Sequence, residues 1–115
     1  MRILLVEDHK GVREAIESAL SLRGYHVNSF SNSKEAIQGI KSRIEYDLAI
    51  IDRSLDYHKY SGDSVMEFSK TENPKIPVLC LSAYEDLPKN ADRYLVKPFG
   101  TEKLLTMVET WIKRD

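Results

Sequence analysis

The chain opens with Ile3-Leu4-Leu5-Val6, an unbroken apolar run stopped by Glu7 and Asp8. Such a run suits a strand buried on both faces. The period then changes. Val12, Ala15, Ile16, Ala19 and Leu20 fall on one stripe and predict a helix from about Lys10 to Arg23. Gly24 stands where a left-handed helix cap is wanted. Tyr25 to Phe30 is more polar and predicts a short strand near a sheet edge. Asn32 followed by Glu35 resembles a capping box, opening a second helix with Ala36, Ile37, Ile40 and Ile44 on its inner face. Asp47-Leu48-Ala49-Ile50-Ile51-Asp52 is another buried strand, and a polar stretch follows from Arg53 to Gly62.

A third helix is expected from about Asp63 to Lys70, with Val65, Met66 and Phe68 apolar. Val78-Leu79-Cys80-Leu81 is the fourth strand and ends at Ser82. Ala83 to Ala91 contains Pro88 and has only a weak helical pattern. Arg93-Tyr94-Leu95-Val96 is the fifth strand. After the turn Lys97-Pro98-Phe99-Gly100, Thr101 caps a last helix that turns Leu104, Leu105, Val108, Trp111 and Ile112 inward. Strands alternating with helices imply right-handed crossovers and a parallel α/β sheet with helices on both faces.

Composition narrows the class. The 115 residues are the size of one domain, spanning 1–115. Seventeen basic against eighteen acidic residues leave a formal charge of -1, which argues against direct nucleic-acid binding. No apolar run is long enough to span a membrane, and the first is too short for a signal peptide. Cys80 is the one cysteine, so an intrachain disulfide or a cysteine metal cage is excluded. It reads as a small core residue. A single cytoplasmic domain is expected.

The chemistry gathers at one edge. Ligands of an open parallel sheet bind outside the carboxyl ends of its strands. Those ends carry Glu7, Asp8, Asp52, Ser82 and Lys97. Taken singly, Asp8 can cap a helix, Asp52 and Ser82 can serve turns, and Lys97 can be solvated. Their coincidence on one edge argues for a site. Three carboxylates there repel one another, and a divalent cation relieves the repulsion. Oxygen donors without a histidine or thiolate cluster favour Mg2+ over zinc. A carboxylate beside the metal can act as a nucleophile on phosphorus. Lys97, Ser82 and backbone N–H groups can compensate charge on phosphoryl oxygens. His9 and Trp111 read as a solvated loop residue and helix packing, respectively.

Four segments in order, Ile3 to Asp8, Asp47 to Asp52, Val78 to Ala83 and Tyr94 to Phe99, together resemble the receiver domain of bacterial two-component response regulators. The resemblance covers essentially the whole chain. It implies a flavodoxin-like, doubly wound five-stranded parallel sheet in the order 2-1-3-4-5. It makes Asp52 the acceptor of a phosphoryl group from a histidine kinase or phosphotransfer protein. Asp8, Asp52 and the backbone carbonyl of Ser54 would ligate Mg2+, with Glu7 acting through water. Ser82 would be the hydroxyl that moves to the phosphoryl group. Lys97 would be the clamp, with a bond to Pro98 that is often cis. Tyr94 would be the aromatic that turns inward on activation, and Ser54 and Tyr84 would tune the lifetime of the phosphoryl group. The domain would then be no enzyme beyond catalysing its own phosphoryl transfer and dephosphorylation. It would act on a downstream protein or an output domain, as a monomer or a weak phosphorylation-dependent dimer.

The sequence departs from that pattern twice. The span from Ser82 to Lys97 is short and contains Pro88, so the fourth helix is expected to be truncated or missing. The loop after Asp52 is long, with Asp56-Tyr57-His58-Lys59-Tyr60 before Gly62. It reads as a tolerated insertion or a partner-recognition element. A Mg-dependent phosphohydrolase and a degenerate receiver serving only as an interaction module are the competing readings.

Overall fold

The computed structural model describes residues 1–55 and 61–112. The loop 56–60, and with it the question of partner recognition there, lies outside the described residues.

The apolar runs become β1 (Arg2–Val6), β3 (Leu48–Asp52) and β4 (Val78–Ser82). The more polar runs become β2 (His26–Phe30) and β5 (Arg93–Val96). All pair in parallel in the order β2-β1-β3-β4-β5, so the polar strands occupy the edges. The flavodoxin-like order is therefore present. Among the described residues, four helices accompany them: α1 (Lys10–Leu22), α2 (Ser33–Lys41), α3 (Gly62–Glu72) and α4 (Thr101–Ile112). No helix among the described residues is long and apolar enough to cross a membrane.

Side chains alternate along a strand, so each central strand feeds two cores. Leu4, Val6, Ala49, Ile51, Val78 and Cys80 join Ala36 of α2 and Val65 and Met66 of α3. Ile3, Leu5, Leu48, Ile50, Leu79 and Leu81 join Ile16 and Leu20 of α1 and Leu104, Leu105 and Val108 of α4. Each fully buried leucine or isoleucine contributes roughly 1.5–3 kcal/mol. Cys80 is a core residue, and burial pushes its thiol up to about 11. Trp111 is half-buried against the second core, and the Arg93 guanidinium carbon of β5 lies 5.0 Å from the centre of its ring.

Helix ends follow the local sequence with three corrections. Gly24, at φ 89°, closes α1: its N–H bonds the Ser21 carbonyl at 3.0 Å and the Tyr25 N–H bonds that of Leu20 at 3.3 Å. Asn32 caps α2 by accepting from the Glu35 N–H at 2.9 Å, and its amide returns to the Glu35 carboxylate at 2.9 Å. The first correction is at α1. Asp8 is the candidate cap from the sequence, but His9, exposed as expected, is the N-cap, its Nδ1 accepting from the Val12 N–H at 3.2 Å. The second is Ile44. The chain leaves α2 after Lys41 and turns through Arg43 at φ 68°, so Ile44 is exposed rather than inward. The third is Thr101, which is the first helical residue and not the cap. The Gly100 carbonyl accepts from the Leu104 N–H at 3.4 Å.

No helix forms between β4 and β5. Residues 83–92 cross directly, with Pro88 buried and Ala91 packed into the first core. Asp92 fixes the end of this crossing. Its carboxylate accepts from the Val78 N–H at 2.8 Å and from Lys70 Nζ at 2.7 Å. Each face of the sheet is thus covered by two helices.

The start of α3 abuts the end of β3. A Cβ at Gly62 would lie 2.6 Å from Arg53 Cα and closer still to the Asp52 carbonyl oxygen. Backbone cannot swing aside as a side chain can. Gly62→Ala therefore costs about 1–3 kcal/mol by overpacking. That exceeds the roughly 0.5–1 kcal/mol an alanine gains in a helix. The urea midpoint of Gly62→Ala is expected to fall below wild type; an equal or higher midpoint would contradict this packing.

Candidate functional site

Strands β1, β3 and β4 all end at the same edge: β1 runs into Glu7, β3 closes on Asp52 and β4 on Ser82. Asp52 closes β3 and is only 2% exposed. Its Oδ2 accepts from Lys97 Nζ at 3.0 Å, and its Oδ1 accepts from the Ser54 N–H at 3.0 Å. Glu7 follows β1 and is fully buried. Its Oε1 accepts from the same Lys97 Nζ at 2.9 Å, and its Oε2 from the His9 N–H at 3.0 Å. Lys97 therefore bridges two carboxylates from two different strand ends. Asp8 is half-buried beside them, and carboxylate oxygens of Glu7, Asp8 and Asp52 lie within 4.8 Å of one another.

Of the remaining predicted residues, Ser82 shares this edge, and Tyr94 sits two register positions back on β5, opposite Cys80. Ser82 ends β4, is buried, and its Oγ accepts from the Tyr84 N–H at 3.0 Å. Tyr84 is 71% exposed, and Tyr94 on β5 is 36% exposed. The Lys97–Pro98 peptide is cis. Asp8 does not cap α1, because His9 does so.

Two contacts were not foreseen. Arg13, in the second turn of α1, reaches back so that Nη1 donates to the Glu7 carbonyl at 3.0 Å and the Asp8 carbonyl at 3.4 Å. Arg53, next to Asp52, pairs with Asp63 of α3 at 3.0 Å and with Asp86 at 2.8 Å. The Arg13 contact had a signal in the sequence, a cation one helical turn beyond the acidic pair. The Arg53 to Asp86 contact joins residues with no local relation and left none.

Electrostatics follow from burial and pairing. Burial pushes the Glu7 carboxyl up to about 7, against the bonds from Lys97 and His9 that favour its charged form, and the Asp52 charge adds to the rise. Burial pulls the Lys97 ammonium down, but its bonds to Glu7 and Asp52 outweigh this and hold it above the ordinary value. The donor set fits magnesium. Among the described residues it is made of hard carboxylate oxygens, with no histidine nitrogen or thiolate in the cluster.

The fold and this edge define a flavodoxin-like α/β domain with an acidic, lysine-bridged crevice. The chain belongs to the response regulator receiver domain family, whose model matches residues 3–109. It is thus a receiver domain of the two-component class. It is 32% identical to the transcriptional regulatory protein DltR of Streptococcus agalactiae over 94% of this chain and 50% of that protein. It is 31% identical to the transcriptional regulatory protein PcoR of Escherichia coli over 98% of this chain and 52% of that protein. The chain therefore spans about half the length of these relatives. Among solved structures, the response regulator TrrA of Thermotoga maritima in complex with Mg(2+)-BeF superposes with a TM-score of 0.81 at 31% identity, covering 95% of this chain and 96% of that one. The Francisella response regulator 1452 receiver domain gives 0.84 at 27% identity over 98% and 97%.

The raised Glu7 pKa sets a pH dependence. Folding lifts it from 4.5 to about 7, so the folded state binds this proton more tightly than the unfolded chain. The contribution to stability is full below the unfolded value and is lost as pH rises through the folded one. In a metal chelator, the thermal midpoint is expected to fall as pH rises from about 5 to about 8. Glu7→Gln should show a shallower slope over that window. Equal slopes in the two proteins would remove Glu7 as the source.

Proposed function

We propose that the domain is a phosphorylatable switch with Asp52 as its phosphoacceptor. One observation carries this reading: a buried carboxylate at a strand end, held by Lys97 and the Ser54 N–H beside two further acids. Those two bonds aim one oxygen pair and leave lone pairs for attack. An Asp52 oxygen forms the bond to phosphorus, and the phosphorus–nitrogen bond of a donor phosphohistidine breaks, its electron pair returning to the imidazole. The donor is a histidine kinase or phosphotransfer protein. Asp8, Asp52 and the Ser54 carbonyl, with Glu7 through water, would hold Mg2+, which when bound offsets negative charge on the phosphoryl oxygens.

Lys97 then pairs with a phosphoryl oxygen, and Ser82 turns its hydroxyl toward another, leaving the Tyr84 N–H. The space vacated behind Ser82 admits the Tyr94 ring. A charge change at the crevice thereby becomes a packing change on β5. Tyr84 and Ser54 flank the site and set how fast water reaches the phosphoryl group. On this reading the domain is a cytoplasmic switch that catalyses only its own phosphoryl gain and loss. It signals to a protein partner or output domain as a monomer or a weak phosphorylation-dependent dimer.

Incubation with acetyl phosphate and Mg2+ is expected to add a single phosphoryl group by intact mass, absent in Asp52→Asn. Multiple turnover of small phosphate esters would point instead to a hydrolase, and no adduct with no magnesium binding to an interaction module. In the same assay Tyr84→Ala is expected to shorten the adduct's lifetime. An unchanged lifetime would exclude Tyr84 as a screen against water.

A further inference from the structure

Residues 83–92 replace a helix, and their attachment is uneven. Residues 88–92 are anchored by buried Pro88 and Ala91 and by the Asp92 carboxylate. Residues 83–87 are exposed at every position. Among the described residues, two hydrogen bonds tie this half to the rest of the domain. The Tyr84 N–H donates to Ser82 Oγ at 3.0 Å, and Arg53 Nη1 donates to Asp86 Oδ2 at 2.8 Å. Both tethers start beside Asp52. Arg53 follows it in sequence, and Ser82 follows Leu81, the residue paired with Asp52 across the sheet.

The two tethers differ in what disturbs them. The first requires the Ser82 hydroxyl to stay turned toward Tyr84, so it breaks when that hydroxyl swings to a phosphoryl oxygen. The second does not involve Ser82. Arg53 is also held from behind, with Nε and Nη2 on the two Asp63 oxygens at 3.0 and 3.3 Å and its N–H on the Leu81 carbonyl at 2.9 Å. A guanidinium fixed in this two-sided way loses little freedom in gripping Asp86. The grip therefore persists when the first tether is lost.

We propose that Arg53 is a positioning residue that, through Asp86, clips residues 83–87 at the mouth of the site and slows both the gain and the loss of the phosphoryl group. The inference rests on Asp52 being the phosphoacceptor. The clip is partly exposed, which limits its effect to roughly two- to fivefold in each rate.

Acetyl phosphate with Mg2+ supplies the phosphoryl group, and intact mass follows its gain and, after the donor is removed, its loss. Wild type is compared with Asp86→Asn, Arg53→Gln and the double variant, each checked for wild-type circular dichroism. Asp86→Asn is expected to speed both rates two- to fivefold. Arg53→Gln should do the same, and the double variant should be no faster than the faster single one, because both remove the same contact. Asp86→Glu, which keeps the charge, should restore most of the slow kinetics. A wild-type protein that gains no adduct overturns the phosphoacceptor reading and this inference with it. An adduct whose rates are unchanged in Asp86→Asn, or single effects that multiply in the double variant, overturns the inference alone.

Discussion

Everything at the carboxyl edge of this sheet depends on one ammonium group. Glu7 and Asp52 are buried carboxylates with Asp8 beside them, and two unit charges at that spacing repel by roughly 3–4 kcal/mol at an effective dielectric of 20. Lys97 answers both buried acids at once, at 2.9 and 3.0 Å. It can do so because β5 lies next to β4 and the chain turns sharply after Val96. The same bonds tie the edge strand β5 to two of the three central ones, β1 and β3, at their polar ends. The apolar cores hold the sheet together along its length; Lys97 holds it together where apolar contact stops.

The backbone completes what the lysine begins. Each buried carboxylate takes one bond from Lys97 and one from a main-chain N–H two residues further on, Ser54 for Asp52 and His9 for Glu7. Bonds to both oxygens offset part of the desolvation cost of each buried carboxylate, and for Glu7 the burial still outweighs them. The pattern repeats because β1 runs into Glu7 and β3 ends on Asp52, each acid followed by a turn into a loop or helix. Arg13 adds a third support by closing over the carbonyls of the acidic pair.

The order of strands and the edge residues were legible in the sequence because burial writes itself into local pattern. Unbroken apolar runs marked β1, β3 and β4 as central, and polarity marked β2 as an edge strand. The missing helix was legible from Pro88 and the short span to Lys97. What was not legible depended on side chains finding distant or unusual partners. His9 capped α1 in place of the acid before it, and Gly100 preceded α4 where Thr101 had been expected to cap. Ile44 continued the helical spacing of α2, but the chain had already turned through Arg43. Arg53 meets Asp86 across 33 intervening sequence steps, and no periodicity records such a pair.

The contact between Arg93 and Trp111 has a practical consequence. The chain contains a single tryptophan, on α4, and its ring is covered by a guanidinium from β5. Arg93 is the immediate neighbour of Tyr94. A displacement of β5 changes the charge and the solvent over that one indole, and with it the wavelength and quenching of its emission. The domain carries its own optical reporter of β5, and following it requires no added label.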